Sequence, residues 1–73
     1  MLLRDCPEGF RGRIKMLKGP SVLRKRLLAL GFVPGREVRV VRNAPLKDPL
    51  EVEVLDGLIA IRRDEAAYIA VEI

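Results

Sequence analysis

Between Ser21 and Gly35 the chain reads SVLRKRLLALGFVPG, and no other stretch combines a helical period with signals at both ends. Everything else reads as strand or turn. Pro20-Ser21 marks a start, with Ser21 placed to accept a hydrogen bond from an orphan amide of the first turn. Gly31 marks the stop, since it can take the left-handed conformation that closes a helix, and Phe32 supplies the apolar residue just beyond. The result is a helix of about three turns over residues 21–30. At about 100° per residue, Val22, Leu23, Leu27, Ala29 and Leu30 fall on one arc, and Arg24, Lys25 and Leu28 fall opposite. The first group is expected to face a core. Arg26 lands inside the apolar arc, which predicts a stem laid on the core and a guanidinium that meets backbone carbonyls or a carboxylate, with Asp48, Glu37 and Asp64 as the candidate partners. Leu28 lies among cations on the solvent side. It reads either as a single exposed apolar residue or as an anchor for a partner, ringed by Arg24 and Lys25.

The remaining chain alternates in strand fashion. Phe10 to Lys18 sets Gly12, Ile14 and Met16 against Arg11, Arg13, Lys15 and Leu17, with Gly12 marking a bend or a close backbone approach. Val33-Pro34-Gly35-Arg36 fits a type II turn, because proline presets the first central residue and glycine takes the positive φ of the second. Arg36 to Arg42 places Val38 and Val40 on one face, with Arg39 expected opposite Glu51 or Glu53. Asn43 to Pro49 holds two prolines and reads as a stiff loop. Leu50 to Leu55 alternates Leu50, Val52 and Val54 inward with Glu51 and Glu53 outward, and Asp56-Gly57 is a type I′ hairpin signal. Leu58 to Arg62 should return antiparallel, apolar on both faces and so covered on both. A short helical turn near residues 64–67, capped by Asp64, leads to a last strand from Tyr68 to Ile73. Five short strands and one helix predict a mainly β fold. A sheet this small avoids open edges by curling into a barrel with the helix plugging one side.

Seventy-three residues make one domain, spanning 1–73, with only a modest core and little room for a catalytic cleft. The three aromatics, Phe10, Phe32 and Tyr68, leave that core to Leu, Ile and Val. One cysteine excludes an internal disulfide, and with no histidine the side chains for a transition-metal cage are missing. Cys6 reads as a small buried hydrophobe. No signal peptide and no apolar run long enough to span a membrane are evident, so a cytoplasmic protein is expected, not embedded in the membrane. Net charge is +4, but residues 1–47 hold 12 of the 14 Lys and Arg with 3 acids, a balance of +9, and the remainder carries −5. If the halves pair across a sheet, much of that charge cancels locally.

These motifs also form a pattern. Arg26-Leu27-Leu28-Ala29-Leu30-Gly31-Phe32-Val33-Pro34-Gly35, then Ala44-Pro45-Leu46-Lys47-Asp48-Pro49, then Ile59-Ala60-Ile61-Arg62, then Glu65-Ala66 and Ile69-Ala70-Val71 together resemble the FeoA domain of ferrous iron transport, from about Leu3 to Ile73. The resemblance implies a small SH3-like barrel that serves as a cytoplasmic accessory to FeoB, a membrane Fe(II) permease with a cytosolic GTPase domain. It also implies a relation to the C-terminal domain of metal-dependent repressors, in which a DNA-binding and metal-sensing region comes first. Nothing precedes Leu3 here beyond two residues, so the stand-alone accessory is expected. The resemblance makes Arg26, Leu27, Gly31, Pro34, Gly35, Asp48 and Pro49 family features, and a pairing of Arg26 with Asp48 would tie the helix to the loop.

Three functions are weighed. A protein-binding module would present Arg24, Lys25, Leu28, Phe32 and Pro45 to the cytosolic part of the permease, as an apolar anchor with a charged rim. Nucleic-acid binding would use the basic first half, but stacking aromatics are scarce, so no nucleic acid is expected. An enzyme would need a nucleophile with its base or a phosphate loop, and these are absent; no cofactor is expected. Asp48, Glu51 and Glu53 make no evident cage for Fe(II), and direct transition-metal binding and weak homo-oligomerisation stay open.

Overall fold

The computed structural model describes residues 1–43 and 48–73. A 3-10 turn at Leu3–Asp5 precedes strand β1 (Arg11–Leu17), helix α1 (Ser21–Leu30), β2 (Glu37–Asn43), β3 (Leu50–Val54), β4 (Gly57–Ile61), the single-turn helix α2 (Arg63–Ala66) and β5 (Ile69–Glu72). The five strands form one antiparallel sheet in the order β4-β3-β2-β1-β5. Its inward residues include Ile14, Val38, Val40, Leu50, Val52 and Val54. Ile61 of one edge strand and Ile69 of the other belong to the same core cluster, so the sheet curls around its contents. Leu27 and Phe32 fill it from the helix side and Leu3 and Cys6 from the N-terminus. This is the expected small mainly-β barrel with its helical plug.

Two bulges bend the sheet, one between Ile14 and Met16 of β1 and one between Val40 and Arg42 of β2. A bulge inserts an unpaired residue and changes which face the following side chains take. That explains why Met16 is exposed and Leu17 half-buried, against the alternation expected for β1. Gly12 meets the close approach predicted for it: a Cβ there would collide with the carbonyl oxygen of Glu72 and lie 2.7 Å from the Phe10 ring.

The helix closes as expected. Gly31 is left-handed at φ 111°, its N–H donates to the Leu28 carbonyl and the Phe32 N–H donates to that of Leu27, the two bonds of a Schellman motif. The start differs. Pro20 is the N-cap, and no side chain caps the first turn. The buried face differs too, because only Leu27 is fully buried and Leu23 partly so. Those two lie about 40° apart, and Val22 and Ala29 sit roughly 120° or more around the cylinder from their midline, too far to reach the core. Arg26 is likewise outside, and its partner is Glu65 at 2.7 Å, not Asp48, Glu37 or Asp64.

The type II turn forms, with Gly35 at φ 90° and the Arg36 N–H donating to the Val33 carbonyl. The β3–β4 hairpin falls one residue earlier than predicted. Leu55 and Asp56 are its two central residues, at φ 56° and 60°, and Gly57 already pairs with Val54. β4 is an edge strand with Leu58 and Ala60 exposed, so the expectation of cover on both faces fails. Arg39 meets Glu53 at 3.1 Å as foreseen, and Arg42 meets Glu51 at 2.8 Å.

Candidate partner-binding surface

The solvent side of α1 follows from the narrow line it buries. With only Leu23 and Leu27 packed inward, Val22 is left 79% exposed and Leu28 43% on the solvent side, and Leu30, the last helical residue, is 39% exposed although it lies near the buried line. Arg24 and Lys25 lie on the same solvent side, and the helix contains no acidic residue. Its charges are differently committed. Arg26 is tied to Glu65, and the guanidinium of Arg24 donates to the Gly19 carbonyl, which leaves its charge unneutralised. Lys25 has no ion-pair or hydrogen-bond partner among the described residues. The surface is therefore apolar in patches and basic at its rim, where Arg24 and Lys25 have no carboxylate partner among the described residues.

At the C-terminal end of the helix the β3–β4 hairpin adds a further apolar residue. Leu55, 63% exposed, sits at the hairpin tip with its Cδ1 3.5 Å from where a Cβ on Gly31 would lie. Arg36 donates to the Gly31 carbonyl at 3.0 Å and fixes this corner. Beyond it a depression of about 190 Å³ opens between Arg36, Arg39, Glu53 and Asp56. It is small and lined by charges.

Of the residues singled out in the sequence, Arg24, Lys25 and Leu28 come together on this surface. Phe32 does not reach it. As the residue after the left-handed glycine it turns inward and is fully buried, so it supports the helix end from below. Pro45 lies outside the described residues. Val22, Leu30 and Leu55 were missed as surface residues. Neither Val22 nor Leu30 carried a signal in the sequence, because how much of the apolar arc is buried depends on how the helix seats on the sheet.

The other motif positions are structural. Leu27 is core, Pro34-Gly35 makes the turn, and the Asp48-Pro49 peptide is cis. Asp48 has a role not foreseen: its Oδ1 accepts from the Arg63 amide at 3.0 Å and its Oδ2 lies 3.7 Å from the Arg62 guanidinium. It caps α2 from 15 residues away, in place of Asp64.

Cys6 is buried, with Sγ 3.4 Å from the Leu2 carbonyl oxygen. Burial pushes its thiol pKa up and Asp5 adds to this, against the opposing N-terminal ammonium. Among the described residues no three His, Cys, Asp or Glu side chains converge as a metal site would require. Nor, among them, is any helix long and apolar enough to cross a membrane.

Comparison with known proteins decides the family. The FeoA domain model matches residues 1–73. The chain belongs to the FeoA family. It is 40% identical, over 73 residues, to an Fe(2+) transport protein A/Fe(2+) transporter FeoB fusion protein of Porphyromonas gingivalis, covering all of this chain and 9% of that protein. The solution structure of FeoA from Chlorobium tepidum superposes with a TM-score of 0.90 at 38% identity, over 100% of this chain and 70% of that one. A zinc-complexed FeoA from Stenotrophomonas maltophilia, described as a prokaryotic SH3 domain protein, gives 0.84 at 32%, over 99% and 89%. The FeoA chain thus has the SH3-like fold, and its family is one of ferrous iron transport.

Proposed function

We propose that this FeoA domain is a cytoplasmic accessory of ferrous iron uptake that binds and modulates a FeoB-type permease through protein–protein contacts, and that it has no catalytic activity. The observation that carries this reading is the Porphyromonas gingivalis relative, in which an equivalent domain and the transporter are one polypeptide. Two modules joined in one chain share a high effective concentration, which favours a contact between them when each also occurs separately.

The contact is assigned to the solvent side of α1. Leu28 is the anchor, Arg24 and Lys25 are the rim, and Phe32 holds the end of the helix in place. The Pro45 loop is included on the same reading. The partner surface this fits is an apolar depression edged with carboxylates on the cytosolic part of the permease. Nucleic acid is a poorer fit, because Arg39 and Arg42 on the sheet are already paired with Glu53 and Glu51. An interface on a domain of this size is modest, on the order of 800 Å² or less per partner, and binding should be reversible. Co-purification of the chain with the cytosolic part of a FeoB-type permease, with and without GTP, tests the reading. Retention in at least one of the two states is expected, and loss in both would overturn it.

A further inference from the structure

The two edges of the sheet are treated differently. β5 is covered by the N-terminus: Leu2 bridges Ala70, and the Val71 amide donates to the Met1 carbonyl at 2.8 Å. β4 has no such cover among the described residues. Among the described residues, the backbone of Gly57–Ile61 makes no hydrogen bond outside its ladder with β3. The strand also lacks the usual protections of an edge. It contains no proline, no charge and no bulge, and Leu58 is 60% exposed.

Its geometry specifies what would pair with it. The two-residue turn makes Val54 and Gly57 the closing hydrogen-bonded pair, so Gly57, Ile59 and Ile61 direct their amides and carbonyls toward β3. Leu58 and Ala60 direct theirs toward the open side. A second β4 laid antiparallel about Ile59 sets Leu58 opposite Ala60 of the other copy, and Ala60 opposite its Leu58. Both are hydrogen-bonded pairs, and the outward apolar side chains then share one face. The same register carries Asp56, the turn residue next to β4, toward Arg62 of the other copy at both ends of the pair. Arg62 is free to respond, because its side chain is 70% exposed even with Asp48 at 3.7 Å. Centring the pair on Ala60 would instead face Asp56 with Asp64. Centring it on Leu58 would face Asp56 with Ala60 and leave no opposite charges matched.

We propose that the β4 edge is a self-association surface, at which a second copy of this chain pairs its own β4 antiparallel about Ile59 to form a two-fold dimer with a continuous sheet. Five residues of edge bury little area, so the dimer is weak and dependent on concentration. The proposal uses none of the residues assigned to the permease contact.

Sedimentation velocity on the full chain, from about 10 µM to about 1 mM, tests it. A reversible monomer–dimer equilibrium is expected for the wild type. Leu58→Lys places a charge on the edge, and Ala60→Pro removes an outward amide while sparing the β3 ladder; each should weaken the dimer at least about tenfold. Asp56→Arg should weaken it also, by setting arginines opposite each other. The charge exchange Asp56→Arg/Arg62→Asp should bring it back to within about threefold of wild type. Circular dichroism confirms that each variant is folded. A wild type that stays monomeric at about 1 mM overturns the proposal and leaves the edge to a strand from a different protein. A dimer untouched by both Leu58→Lys and Ala60→Pro overturns it as well. Failure of the folded charge exchange to restore the dimer overturns the register about Ile59.

Discussion

Gly31 and Gly12 are both needed, for opposite reasons. Gly31 sits at φ 111° with only ordinary contacts around a hypothetical Cβ, so the penalty for Gly31→Ala is conformational. It should cost about 1–2 kcal/mol, which for a chain of this size lowers the melting temperature by about 4–8 °C per kcal/mol. Gly12 has no such φ but faces the Glu72 carbonyl, a backbone atom that cannot swing aside. Gly12→Ala should therefore be the more damaging, by about 2–3 kcal/mol through overpacking, and thermal unfolding of the two variants checks the order. Cys6 gives a prediction in pH. Its thiol pKa is raised above the ordinary value by burial first and by Asp5 second, so the folded state holds the thiol proton more tightly than the unfolded state. The stability this contributes is full below the ordinary thiol range and is lost as pH rises through the folded value. A thiol reagent such as DTNB at about pH 8 should label native Cys6 at least tenfold more slowly than the denatured chain, because the thiolate is the reactive form and the sulfur is covered.

At the scale of elements, α2 is held by Asp48 and by the Arg26–Glu65 pair, and the two are not equal. Asp48 satisfies a helix amide that no local side chain caps, so Asp48→Ala should cost about 0.5–2 kcal/mol, with Asp48→Asn milder because an acceptor remains. Arg26 is 64% exposed, and Arg26→Ala should cost less than about 1 kcal/mol; denaturant titration of the three variants decides the ranking. Elements whose signals lie within one turn of chain were legible in the sequence. The Gly31 stop, the Pro34-Gly35 turn and the alternation of β3 all follow from adjacent residues. What was not legible depends on contacts between distant residues or on a single inserted one. The cap on α2 comes from another loop, and the β1 bulge leaves no compositional trace. The hairpin shifted by one residue because Gly57 suggested a turn centre, whereas Leu55 takes the left-handed conformation despite its bulk. For the proposed binding surface, Arg24, Lys25 and Leu28 could be read from the helical wheel. Val22, Leu30 and Leu55 could not, because the depth to which α1 sinks into the barrel is a tertiary property.

For the molecule as a whole, the uneven charge of the chain is partly cancelled by folding. Arg39 and Arg42 from the basic half meet Glu53 and Glu51 from the acidic half, while Arg24 and Lys25 keep their charge on α1. What remains includes a basic helix face around Leu28, on a fold that pairs Arg39 and Arg42 of β2 with carboxylates of β3. Binding to an acidic partner should then weaken moderately with salt, by several-fold between about 50 and 200 mM, since rim charges are screened over a Debye length of about 10 Å. The most direct measurement is a calorimetric titration of the cytosolic part of a FeoB-type permease with wild-type chain and with Leu28→Asp, both shown to be folded. Saturable binding by the wild type and a loss of at least about tenfold in affinity for Leu28→Asp are predicted for an anchor of this kind. No binding by either, or equal binding by both, would contradict the account.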